Sequence, residues 1–219
     1  MDGALARASA AVWADGHVLA HAAAEGARGQ AVALPPMVAD VLRRAGLLAT
    51  ELDAVAAVVG PGGFTGLRAA LALAQGLALA AGKPAIGVTT GEALAAALPD
   101  AVRGSHPVWS VTDTRRGRVL LERLVPGAWA AEAMPQAFTL DAVPHPEEPT
   151  LLVGDAAEAV AAASPGHGFI LMGLALPDAA AVAAVAARRL SGAVRMLPAL
   201  PLYVEPPAVR LPSSELPHA

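Results

Sequence analysis

Residues 55–97, VAAVVGPGGFTGLRAALALAQGLALAAGKPAIGVTTGEALAAA, constrain the fold more than any other stretch of this chain. An apolar run, Val55 to Val59, meets a turn containing Gly60, Pro61, Gly62 and Gly63. A helix pattern follows from about Thr65 to Ala81 and stops at Gly82. Gly82 with Pro84 is a normal C-terminal pair, and Thr65 is a suitable N-cap. A second apolar run, Ala85 to Val88, feeds another helix start at Thr89 or Thr90, with Glu92 in its first turn. Strand, tight turn, helix and strand make a βαβ unit, whose right-handed crossover sets its strands parallel.

The glycines permit positive φ and close approach of another group, and helix N-termini attract anions. A phosphate site is one reading; a turn that packs a helix on a sheet is the other. The spacing favours packing. A P-loop requires Lys and Ser/Thr after its last glycine, whereas Leu67 and Arg68 follow Gly66. Gly60, Gly62 and Gly66 are also one residue too long for the dinucleotide fingerprint G-x-G-x-x-G.

The string GPGGFTGLRAALALAQGLALAAGKPAIGVTTGEALA resembles the signature of the TsaB family of bacterial tRNA threonylcarbamoyladenosine biosynthesis proteins. That family carries a G-P-G-S-F-T-G-x-R turn, matched here by Gly60, Pro61, Gly62, Gly63, Phe64, Thr65, Gly66 and Arg68, with Gly63 in place of Ser. The resemblance extends from Asp2 to about Pro212 and is weaker after Pro126. Asp2 and Gly3 resemble the family's Asp-Thr, but the strand that should precede them is absent, and an upstream start is expected. Pro201, Leu202, Tyr203 and Val204 resemble its closing Pro-Leu-Tyr-Leu-Arg motif, with Glu205 for Arg. The implied fold class is α/β, of the actin-like ATPase and RNase H-like type. It has an N-terminal, partner-binding lobe over 1–100, its first strand truncated, and a smaller lobe over 101–219.

The same resemblance bears on chemistry. The family's catalytic relative, the transferase TsaD, holds a metal with a His-x-x-x-His pair after the strand equivalent to Ile86–Val88. Thr90 and Leu94 stand there, and neither replaces imidazole. The implication is a non-catalytic paralogue with no catalytic residue, metal or cofactor. Its implied partners are TsaD, the ATPase TsaE, and tRNA only through the complex. Alone, it is expected to form a homodimer. The implied interface joins helices 32–45 and 67–81, with Val38, Val41, Ala70, Leu73, Ala74, Leu77 and Ala78 as candidates. Small residues occupy more than one face of the second helix, so the sequence leaves open which face contacts the sheet. Two other functions stay open: a nucleotide-binding kinase or ATPase of the actin-like class, and a homodimeric structural protein.

Elsewhere the chain reads as strands over Ala8 to Trp13 and His17 to Ala23 around an Asp15-Gly16 turn. A helix over Val32 to Ala45 admits Pro35 and Pro36 only in its first turn. Pro99 to Pro107 is the expected boundary between lobes. Beyond it come strands at Val108 to Thr112, Arg118 to Leu124, Gln136 to Leu140 and Thr150 to Gly154. Helices follow at Ala156 to Ala163 and Pro177 to Leu190. Arg115 and Arg116 read as a solvated turn before an anion site. Asp2, Asp113 and Asp155 end or follow apolar runs, which is turn chemistry as readily as Mg²⁺ chemistry. The six histidines are scattered, and His17 and His21 read as surface residues. The net charge of −4 with no basic tract argues against gripping nucleic acid alone. There are no cysteines, and no segment reads as a leader or a membrane span, so a cytoplasmic location is expected.

Overall fold

The computed structural model describes residues 1–26 and 28–204. Strands Arg7–Ala14 (β1) and His17–Glu25 (β2) form the expected antiparallel hairpin. Its turn uses positive φ at Asp15 (49°) and Gly16 (84°). Helix α1 spans Gln30–Ala45. It starts before Val32, so Pro35 and Pro36 lie in its second turn and not its first. Both prolines are exposed, as are Ala31 and Val32, so water can reach the two carbonyls that lose a helical partner.

The βαβ unit is Val55–Gly60 (β3), Phe64–Ala81 (α2) and Ala85–Thr89 (β4), with β3 and β4 parallel. Gly63 takes the N-cap position, which places Thr65 inside the first turn and not at the cap. Thr90–Ala96 (α3) opens with a capping box: Thr89 Oγ1 accepts from Glu92 N–H, and the Glu92 carboxylate accepts from Thr89 N–H. A short helix, Asp100–Arg103 (α4), lies in the expected link.

The second sheet contains Val108–Asp113 (β5), Val119–Leu124 (β6), Gln136–Phe138 (β7), Thr150–Val153 (β8) and Phe169–Leu171 (β9). Its order is β7-β6-β5-β8-β9, antiparallel on the β6 side and parallel on the β8 side. Helices Ala157–Ala163 (α5) and Ala179–Leu190 (α6), with the 3-10 turns Ala49–Glu51 and Leu140–Ala142, complete the regular elements among the described residues. Strand β9 had no counterpart in the sequence reading.

The first lobe repeats this strand order once Met1 and Asp2 are counted. Asp2 exchanges backbone hydrogen bonds with Ser9 of β1 at 2.9 and 3.0 Å. The Met1 amino group donates to Ala56 O at 2.7 Å, and Val58 N–H donates to Met1 O at 3.2 Å. Two residues therefore sit where a central strand would run, between β1 and β3.

The first lobe also draws on the end of the chain. Helix α6 contributes Val182, Val185 and Ala186 to the core built on Val55, Ala57, Val58, Val59, Ile86 and Val88. Beyond it, Gly87 N–H donates to Leu197 O, and Leu202 N–H to Val59 O, both at 2.8 Å. The assignment of 101–219 to a second lobe therefore does not cover α6 or residues 197–202, because β3 and β4 need those segments to cover their apolar faces. Helix α2 is long and apolar enough to cross a membrane by length and composition, which the sequence reading denied of every helix. Its inner side, however, packs on β3 and α1, as a core helix does.

Candidate partner face and inter-lobe cleft

The signature turn is built for packing. Gly60 takes φ of 120°, and the Gly60–Pro61 bond is cis. A Cβ at Gly62 would overlap Ala4 O, and one at Gly66 would overlap Gly3 O. Gly63 N–H donates to Ala4 O at 2.6 Å. The turn thus presses against residues 3–4, which is the packing role its spacing favoured. Gly63 itself has room for a side chain, so the Ser-to-Gly difference from the family is sterically neutral. Arg68 stacks 3.6 Å over the Phe64 ring and donates to Tyr203 Oη at 2.6 Å. The turn is thereby joined to the closing Pro-Leu-Tyr segment. Glu205, Pro206, Pro207, Pro212 and His218 lie outside the described residues.

The phase of α2 is now defined. Ala70, Ala74 and Ala78 are 0–3 % exposed, and on α1 Val38 and Val41 are buried at 7 % and 2 %. These five candidates belong to the interior and do not form a contact face. Leu73 and Leu77 are half-buried against the cluster of Val38 and Val41, between the two helices. The outward side of α2 is instead Phe64, Arg68, Ala72, Gly76, Leu79 and Ala80. On α1 it is Val32, Pro35, Pro36 and Ala39. Val32, Leu79 and Phe64 are 81 %, 85 % and 63 % exposed. An apolar, small-residue surface of this kind is unusual for solvated helices.

The two positions aligned with the relative's metal ligands are interior. Thr90 and Leu94 are both fully buried; Thr90 Oγ1 donates to Pro61 O, and Leu94 packs with Leu98, Val108 and Leu124. Beside them lies a charged network the sequence reading missed. Arg189 of α6 donates to both Glu92 oxygens at 2.8 Å and to Gly87 O at 3.1 Å. Glu122 of β6 accepts from Thr89 Oγ1–H and from Gly91 N–H. The available signal was a lone acidic residue in the apolar run VLLERL.

Burial pushes the Glu122 carboxyl from its ordinary 4.5 up to about 8, and the nearby Glu92 charge adds to the rise; the hydrogen bonds from Thr89 and Gly91, and Arg189, oppose it. The folded state therefore holds a proton here that the unfolded chain releases above about 4.5. The stability from this group is complete at low pH and falls as pH rises through 4.5 to about 8. Glu122→Gln is expected to lose that slope. Thermal melting of both proteins from pH 5 to 9 checks it, since Asp2 and the terminal amine are common to the two and cancel. Parallel curves would contradict the assignment.

Between the lobes lies a cleft of about 1570 Å³, walled by the signature turn, by Thr112 to Arg116, by Asp155 and by Pro201 to Val204. Arg115, at φ 59°, bridges Asp113 at 3.1 Å and Asp155 at 3.0 Å. The Arg116 guanidinium has no partner among the described residues. Asp2 is apart from these two acids: it is buried beside Ala4, whose N–H it accepts, and does not line the cleft. Among the described residues, no group of three or more His, Asp or Glu is placed to hold a metal. His21, read as a surface residue, is partly exposed and hydrogen-bonded to Asp178 at 2.9 Å. That aspartate caps α6 through Ala180 N–H.

Two sheets of one strand order, a cleft between them and the glycine turn at its edge define the actin-like ATPase type of α/β protein. The family of tRNA N6-adenosine threonylcarbamoyltransferase matches residues 18–149, more than half of the chain, and the chain belongs to that family. It is 38 % identical over 137 residues to the Escherichia coli tRNA threonylcarbamoyladenosine biosynthesis protein TsaB. That match covers 60 % of this chain and 58 % of the relative. A transferase from Maricaulis maris is 50 % identical over 62 residues, which are 28 % of this chain and 16 % of the relative. The chain thus spans well under two thirds of the curated relatives it matches. Among solved structures, a Pseudomonas aeruginosa protein described as similar to peptidase YeaZ superposes with a TM-score of 0.79 at 26 % identity. That superposition covers 93 % of this chain and 97 % of the other. The Pseudomonas aeruginosa YeaZ structure gives 0.76 at 25 % identity, covering 92 % and 96 %.

Proposed function

We propose that this chain is a non-catalytic, cytoplasmic partner of a threonylcarbamoyl transferase in tRNA threonylcarbamoyladenosine synthesis, as in the TsaB proteins it resembles. The observation that carries the reading is the outward face of α1 and α2, where Val32 and Leu79 stand exposed beside Ala72, Gly76 and Ala80. Small side chains let another helix pair approach closely, and the exposed Val and Leu provide area to bury. The partner is the transferase TsaD, with the ATPase TsaE as a third component and tRNA as the substrate of the assembly. In its absence the same face pairs with itself in a two-fold contact. The filled positions at Thr90 and Leu94 support an accessory role over a catalytic one.

Reconstitution tests the proposal. Threonylcarbamoyl transfer to an ANN-decoding tRNA transcript is measured with transferase and ATPase, with and without this chain. Transfer is expected to rise at least tenfold on adding equimolar chain and to be undetectable with the chain alone. Full activity without the chain would contradict the accessory role, and transfer by the chain alone would contradict its non-catalytic character.

A further inference from the structure

The inter-lobe cleft concentrates positive charge in a chain whose net charge is −4. Four arginines line it against two aspartates, and both aspartates are already bound by Arg115. Arg28 and Arg116, from opposite lobes, have guanidiniums without a partner among the described residues. Two of the chain's few aromatic rings stand at the same mouth. Phe64 is 63 % exposed and Tyr203 is 58 % exposed, with the Arg68 guanidinium 3.6 Å and 5.7 Å from their centroids. In the wall, the Thr112 hydroxyl is buried and unpartnered.

Unpaired guanidiniums beside open aromatic faces are the chemistry that holds single-stranded RNA: phosphates go to the arginines and splayed bases stack on the rings. A free nucleoside triphosphate fits less well. The acids that would hold its magnesium are occupied by Arg115, and the glycine turn spends its Gly63 N–H on Ala4 O. We infer that this cleft mouth, with Arg28 and Arg116 as phosphate ligands and Tyr203 as a stacking platform, binds an unpaired segment of the tRNA handled by the assembly. The inference rests on the proposed partnership for the identity of the RNA.

The test uses the full chain mixed with the transferase and a fluorescent ANN-decoding tRNA transcript, titrated at several salt concentrations. The Arg28→Glu/Arg116→Glu variant reverses two exposed, unpaired charges, so its fold and its pairing with the transferase are expected to persist. Its tRNA affinity is expected to fall at least tenfold. The slope of log affinity against log salt should shrink by about 0.7 for each lost single-strand phosphate contact. Tyr203→Leu should weaken binding severalfold with no change in that slope. Unchanged affinity and slope in an intact complex would overturn the site, as would displacement of the tRNA by equimolar ATP. Sedimentation of each mixture keeps the two ideas apart. If the wild-type chain does not associate with the transferase, the partnership fails, and the same titration on the chain alone then decides the RNA site.

Discussion

Arg189→Met is expected to destabilise the folded chain by about 3–5 kcal/mol, the cost of removing one partner from a buried ion pair. Arg189 is 4 % exposed and Glu92 3 %. The guanidinium ties three elements: α6, which carries it, the N-cap turn of α3 through Glu92, and β4 through Gly87 O. Without it, the Glu92 carboxylate keeps its backbone hydrogen bond from Thr89 but loses its cation, close to the Glu122 carboxyl. Burial already raises the Glu92 carboxyl above the ordinary range against the pull of Arg189, so the variant should shift it further up. Urea denaturation at pH 7 measures the loss. Arg189→Met/Glu92→Gln is expected to recover part of it, because no unpaired charge remains; equal midpoints for the single variant and the parent would refute the role given to this pair.

The second large effect separates the two faces of α2. Ala70 is 0 % exposed under α1, in contact with Ala8 and Leu34. A carboxylate there has no partner, and Ala70→Glu is expected to cost several kcal/mol and unfold the chain. Ala72, two residues on, faces outward. Ala72→Glu is expected to change stability by no more than about 0.5 kcal/mol. It should also weaken partner binding roughly thirtyfold, about 2 kcal/mol, because a bulky charge is inserted into a close helix contact. Circular dichroism and melting read the first quantity, and titration calorimetry the second.

Why one helix was legible in sequence and its phase was not follows from its residues. The C-terminal end of α2 is written in Gly82 and Pro84, local signals that act through backbone geometry alone, whereas its start, read at Thr65, lies at Gly63, which makes no side-chain cap. Its faces are written in Ala and Leu on every side, so periodicity gives little contrast, and the choice of inner side is made by the contacts of Ala70, Ala74 and Ala78 with distant segments. The same limit hid the Arg189–Glu92–Glu122 network, whose members are 97 and 30 residues apart along the chain. The return of α6 to the first sheet was equally hidden, since an Ala-rich helix packs as well on either sheet. The signature turn, by contrast, was readable as a packing device, because Gly62 and Gly66 leave no room for a Cβ where residues 3–4 pass. Arg68 was visible as part of a motif, but its stacking on Phe64 and its bond to Tyr203 depend on a segment 135 residues later.

The central claim is that the outward face of α1 and α2 receives the transferase. Sedimentation velocity of equimolar chain and transferase tests it most directly, with the parent chain and Ala72→Glu compared at the same concentrations. The parent is expected to form a one-to-one complex, and Ala72→Glu to sediment as two separate, folded proteins. A complex formed equally well by Ala72→Glu and by a Leu79→Glu control would place the partner elsewhere and contradict the account.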